Sequence, residues 1–313
     1  MLRYRLNGFE DLTLSQQIYI YCLAKATLMG RDITFDQQGK YNLRIRKTLE
    51  AIYKHYDGDR TSDDFKALEV YLKRVWFSSG IYHHYGCEKF KPGFSEHFFY
   101  EAVSLMPETE LPLRRGETKE DLLDELVPVI FDEEVLPKRV NQTDGVDLVA
   151  TSACNFYEGV NQDEVERFYA RLKDGEDLTP PSYGLNSKLM KRNGEIVEKT
   201  WKEEGMYGSA IKEIISWLLK AQKYTENEQQ AHVIDLLIKY YRTGDLSDFD
   251  RYSIAWVKQQ EGMVDFINGF IEVYGDPLGL KGTWEGLVEF KDMEATRRTQ
   301  AISQNAQWFE DHS

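Results

Sequence analysis

Through the first part of the chain the apolar positions recur at helical intervals. Residues 14–29 are rich in Gln, Leu, Ala and Ile and run without interruption to Gly30. Leu43, Ile45, Leu49, Ile52 and Tyr53 form one stripe within residues 41–56, which Asp57-Gly58 ends. Thr61-Ser62-Asp63-Asp64 supplies capping oxygens ahead of a periodic segment over 65–76. Ser95 and Thr118 offer the same chemistry for helices reaching about Ser104 and covering 121–127. Residues 78–94 break the pattern with mixed aromatic and polar side chains.

From about Val146 the period shortens. Residues 146–150, 183–190, 196–201, 264–274 and 283–290 read as strands, bounded by turn-forming residues. Lys191-Arg192-Asn193-Gly194 links the second and third, and Asn-Gly predicts a tight hairpin because both residues tolerate positive φ. Helices are expected over 161–172, 207–224, 226–241, 246–258 and 293–309. The sum is an α+β fold, a small five-stranded mixed sheet or barrel surrounded by many helices. One lobe over residues 1–313 is expected, helical to about 145 and sheet-containing from about 146 to 313. Thr179-Pro180-Pro181 reads as a loop inside it.

Composition narrows the function classes. Hydrophobic residues make up 42% and charged residues 29%, the balance of a chain with a packed core. A net charge of −14 leaves no basic face for nucleic acid. No run of about 18 apolar residues suggests a membrane span. Cys22, Cys87 and Cys154 are odd in number and contain no C-x-x-C pair, which fits reduced thiols. A cytoplasmic setting follows, although export of a parent chain is compatible with it.

The chain has no H-E-x-x-H, no P-loop, no G-x-G-x-x-G and no G-x-S-x-G. Adjacent His83 and His84 on an extended chain would point to opposite sides and could not share an ion, so they read as structural or groove-lining. His97 and Glu101, four apart on a helix, read as an ion pair. No metal ligands are expected. Gly275, Pro277, Gly279 and Gly282 fix the backbone between the last two strands. Two readings stay open for that loop: a rigid platform for binding residues, or a plain connection with a buried tyrosine.

This stretch resembles the dipeptidyl peptidase III family, zinc exopeptidases that remove dipeptides from the N-termini of short peptides. The family pattern F-I-E-x-Y-x-D-P-x-G-x-[KR]-G-x-x-E-G is met by Phe270, Ile271, Glu272, Tyr274, Asp276, Pro277, Gly279, Lys281, Gly282, Glu285 and Gly286. Lys89-Phe90-Lys91-Pro92 and Leu185-Asn186-Ser187-Lys188-Leu189 resemble further family segments. The resemblance runs from about Leu14 to the end and is nearest to bacterial members.

It implies two lobes facing a cleft, the barrel-containing one supplied mainly by the N-terminal part of the chain. Zinc would be held by an H-E-x-x-x-H in the other lobe, expected downstream of Ser313. The chain is then the substrate-binding lobe, inactive alone and without a cofactor of its own, with zinc in the full-length parent. Its partners would be short peptides with a free N-terminus and the downstream zinc lobe. Tyr274 matches the catalytic tyrosine whose phenol hydrogen-bonds the oxyanion, and Glu272 the carboxylate that holds the peptide ammonium. Glu285 matches a further acid nearby and Tyr85 an aromatic wall. Tyr82 and His84 join that wall by proximity. Val273, Gly275 and Thr283 replace a serine, an arginine and an acid of animal members. Glu272 and Tyr274 are two apart and would leave one face of a regular strand. The rival reading is a non-catalytic peptide-binding or scaffolding module that shares this lobe.

Overall fold

A computed structural model describes residues 5–173 and 175–312. Its helices are α1 (Leu14–Met29), α2 (Arg31–Gln37), α3 (Asn42–His55), α4 (Asp63–Ser78), α5 (Glu96–Leu105), α6 (Lys119–Phe131) and α7 (Gln162–Ala170), then α8 (Gly208–Ala221), α9 (Glu228–Thr243), α10 (Leu246–Lys258), α11 (Met293–Gln304) and α12 (Ala306–Asp311). The strands are β1 (Tyr157–Glu158), β2 (Ser187–Arg192), β3 (Glu195–Thr200), β4 (Val264–Glu272) and β5 (Thr283–Phe290). About half of the chain is helical, and the class is α+β as expected.

Side-chain caps start most of the helices. Thr13 and Gln16 form a reciprocal capping box at α1, as do Thr118 and Asp121 at α6 and Asn161 and Glu164 at α7. Ser62 and Ser95 accept from the third helical N–H of α4 and α5. Gly30 caps the end of α1, as expected. It keeps φ −85, inside the right-handed region, so the chain restarts at once as α2.

Two corrections concern the sheet. Residues 146–150 are a turn, because Asp147 holds them locally: its carboxylate accepts from Ala150 and Gln162 N–H, and its carbonyl from Thr151 N–H. The strand in this region is the shorter β1. The five strands also make no closed barrel. They form a three-stranded mixed sheet in the order β1-β2-β3 and a separate β4-β5 pair. β1 runs parallel to β2, and β2 pairs antiparallel with β3 from Ser187↔Thr200 to Arg192↔Glu195. Asn193 (φ 52) and Gly194 (φ 86) close that hairpin with the positive φ angles of a type I′ turn.

Contacts divide the chain into two compact units. The first comprises residues 1–30, 202–269 and 285–313; the second, residues 31–201 and 270–284. In the first, α1 packs on α8 and α9 on α10. Glu226 staples this unit, accepting from Gln16 and Gln230 side chains and from the N–H groups of Met263 and Val264.

The second unit has a large core of α3, α4, α5 and α6 side chains, including Ile45, Leu49, Leu72, Val75, Phe99, Val103, Leu122 and Leu126. A smaller cluster of Val149, Val160, Val165, Tyr169 and Leu189 packs against Leu278 and Leu280. That contact seats the loop after β4 on the β1-β2-β3 sheet. Cys22, Cys87 and Cys154 are all free thiols. No described helix is long and apolar enough to cross a membrane.

Candidate functional site

β4 ends at Glu272, and Tyr274 lies in the turn beyond it, closed by the Asp276 N–H donating to Val273 O at 3.0 Å. Strand alternation therefore does not set the direction of Tyr274. Both side chains are exposed, Tyr274 to 72%. A tyrosine so open is not the buried tyrosine of a plain connection.

What holds this turn is a buried polar network beneath it. Asp276, 2% exposed, accepts with both oxygens: Oδ1 from Leu278 N–H, and Oδ2 from Tyr157 Oη (2.8 Å), Leu280 N–H (2.8 Å) and Lys281 N–H (3.0 Å). Burial raises the Asp276 pKa, and those donors oppose the rise by favouring the charged form. Lys281 is fully buried and donates to Tyr169 Oη and to Ser187 Oγ (3.0 Å), with Glu198 3.9 Å away. Burial pushes its pKa down to about 8 against the pull of Glu198 and Asp276.

The end of the loop is pinned as firmly. Gly282 donates to Leu185 O (2.7 Å), while its own carbonyl accepts from the buried Gln37 amide (3.0 Å). A Cβ on Gly282 would fall 2.8 Å from the Phe270 carbonyl carbon, so this close approach needs glycine. Gln37 also accepts from Trp284 N–H (2.8 Å), and Gln142 donates to Pro277 O (2.9 Å).

Residues 82–88 form a second exposed turn in the same unit. His83 N–H donates to Glu88 O (2.8 Å), and His83 Nδ1 accepts from Gly86 N–H (3.0 Å) and Tyr85 N–H (3.3 Å). Tyr85 is 88% exposed, and His84 is exposed with its ring edge-on to Phe77. Tyr82 differs: it is buried, donates to Leu136 O (3.0 Å) and belongs to the helical core.

Arg139 bonds the 82–88 turn and lies close to Gly275. Its N–H donates to Cys87 O (2.9 Å) and its Nη2 to His84 O (3.2 Å). Its Nη1 stands 3.7 Å from where a Cβ on Gly275 would lie. Glu272, Tyr274, His84 and Tyr85 all fall in the second unit, whereas Glu285, half-buried, falls in the first unit.

Asp276 and Lys281 were visible in the motif as charges flanking Leu278 and Leu280, but their part in building the loop was not. Nothing in the sequence marked Arg139. No group of three or more His, Cys, Asp or Glu among the described residues is placed to hold a metal.

Residues 183–311 match the family described as Peptidase family M49, a span that contains Glu272, Tyr274 and the Asp276–Lys281 network but not Tyr82, His84 or Tyr85. Dipeptidyl peptidase 3 of Homo sapiens is 22% identical over 90% of this chain and 42% of its own length. The likeness to the peptidase M49 family model covers the C-terminal part of the chain. Dipeptidyl peptidase 3 of Dictyostelium discoideum is 21% identical over 98% of this chain and 46% of its own length. The fold resembles that of a dipeptidyl peptidase III from Caldithrix abyssi, with a TM-score of 0.61, 16% identity and coverage of 97% of this chain and 44% of that one. A dipeptidyl-peptidase III from Corallococcus sp. strain EGB gives a TM-score of 0.62 at 14% identity, over 99% and 45%. The chain spans less than half the length of these relatives.

Proposed function

We propose that this chain is the substrate-binding lobe of a zinc dipeptidyl peptidase and holds the N-terminal end of short peptides. The supporting observation is a platform: Glu272 at the end of β4 and Tyr274 in the turn after it are exposed, and the buried Asp276 and Lys281 fix that turn. Binding groups held by a rigid underlayer lose little freedom when a ligand arrives. In this reading Glu272 takes the peptide ammonium. Tyr85 and His84 offer ring faces to a side chain. The Tyr274 phenol donates to the oxyanion that forms at the scissile carbonyl. Zinc supplies Lewis-acid chemistry in the parent enzyme, from a lobe outside this chain.

Magnitudes set what the chain does by itself. An exposed carboxylate–ammonium pair contributes about 0–1 kcal/mol, so peptide affinity is weak until another surface excludes water. Even so, the anchor should be selective. Titration by NMR should show a tetrapeptide with a free N-terminus shifting signals near Glu272, and its N-acetylated form shifting them far less. Glu272→Gln should erase that difference. Equal binding of both peptides to the unaltered chain would remove the anchor assignment.

A further inference from the structure

Four lysine and arginine side chains are buried among the described residues: Arg46, Arg139, Lys188 and Lys281. Three of them face a carboxylate. Arg46 pairs with Asp32 at 2.8 Å, Lys188 with Glu158 at 2.9 Å, and Lys281 with Glu198 at 3.9 Å. Arg139, 5% exposed, has no carboxylate within 4.0 Å among the described residues. Both of its side-chain hydrogen bonds leave Nη2, to His84 O and to Cys87 Sγ (3.3 Å), and neither partner is a carboxylate. Its Nε is buried with no acceptor.

An arginine does not shed its proton inside a protein, so the charge is present. A buried charge without a counter-charge is costly, and an unsatisfied N–H adds to that cost. The location gives the imbalance a meaning. The guanidinium lies between the turn that carries Tyr85 and the turn that carries Tyr274, and at Gly275 the chain presents it with no side chain.

We propose that Arg139 is an oxyanion-binding residue, whose guanidinium takes either a carboxylate of a bound peptide or a free small oxyanion beneath the Tyr274 turn. The planar fork of N–H donors suits a carboxylate. Only the peptide source rests on the function proposed above; the anion chemistry does not.

Calorimetric titration of the chain with sodium acetate, replacing chloride at constant ionic strength, tests the site directly. Saturable binding is expected, with Arg139→Met weakening it by at least about tenfold, or 1.4 kcal/mol. Should Arg139→Met fail to fold, Gly275→Asp combined with Thr283→Ala provides the second test. It places a carboxylate beside Nη1 and removes the Thr283 hydroxyl that a Cβ at Gly275 would meet at 2.7 Å. That variant should fold and lose acetate binding, because the cation then has an internal partner.

A short peptide bearing aspartate that displaces acetate, where its asparagine counterpart does not, identifies the peptide as the source. Acetate binding that neither peptide disturbs identifies a free oxyanion. No saturable acetate binding to the unaltered chain, or equal affinity in the variants, overturns the assignment.

Discussion

Tyr274 and Glu272 sit close together yet make opposite demands on their surroundings. A carboxylate that anchors an ammonium acts on ground state and transition state alike, whereas a phenol that meets an oxyanion acts only once charge has moved onto oxygen. The two roles separate in kinetics. In the parent peptidase proposed above, Tyr274→Phe should lower kcat by on the order of a hundredfold with little change in KM. A kcat within about twofold of the unaltered enzyme would leave Tyr274 as cleft wall. The spacing of Glu272 and Tyr274 was legible in the sequence, but the direction of their side chains was not, because β4 stops at Glu272. Tyr82 misled for a related reason: it adjoins exposed residues in sequence, yet the bridge Tyr82↔Lys89 turns it into the core. Arg139 was illegible altogether, since its partners are a carbonyl and a thiol more than fifty residues away.

At the scale of elements, the parts that were legible are those with local chemistry. Thr13, Ser62, Ser95 and Thr118 cap helices where their side-chain oxygens can reach free N–H groups, and Asn193-Gly194 makes its hairpin from its own φ preference. Apolar alternation at 146–150 failed because one carboxylate, Asp147, offered the backbone a turn instead of a ladder. Asp276 does the same on a larger scale, and there the outcome can be tested. Both of its oxygens accept hydrogen bonds, so the amide of Asp276→Asn must turn an N–H toward at least one donor. The substitution should cost on the order of 3 kcal/mol in urea unfolding, the loss expected when a buried charged acceptor is replaced. Exchange of the Leu280 and Lys281 amide protons should quicken at the same time. A loss below about 0.5 kcal/mol, typical of surface changes, would mean the loop is held chiefly by Leu278 and Leu280 packing.

For the molecule as a whole, the same network makes stability depend on pH in a direction fixed by Lys281. Its ordinary pKa is 10.5, and burial lowers it to about 8 in the fold. Between those values the unfolded chain holds a proton that the folded chain has released, so stability from this group rises with pH. That contribution is fully present above 10.5 and is lost as pH falls toward 8. Its full size is about 3 kcal/mol, from about 1.4 kcal/mol per pKa unit. Tyr157 and Tyr169 oppose it at higher pH. Burial raises both phenols well above their ordinary value, so they stay neutral in the fold while the unfolded chain ionises near pH 10. The useful window is therefore pH 8 to 9.5, and the useful comparison is Lys281→Met, which removes the titrating group and leaves both tyrosines. Unfolding in urea across that window should show the unaltered chain gaining about 1.6 kcal/mol on the variant. A constant gap would mean that Lys281 keeps its proton in the fold, and that Glu198 and the hydroxyls of Tyr169 and Ser187 compensate the buried charge in full.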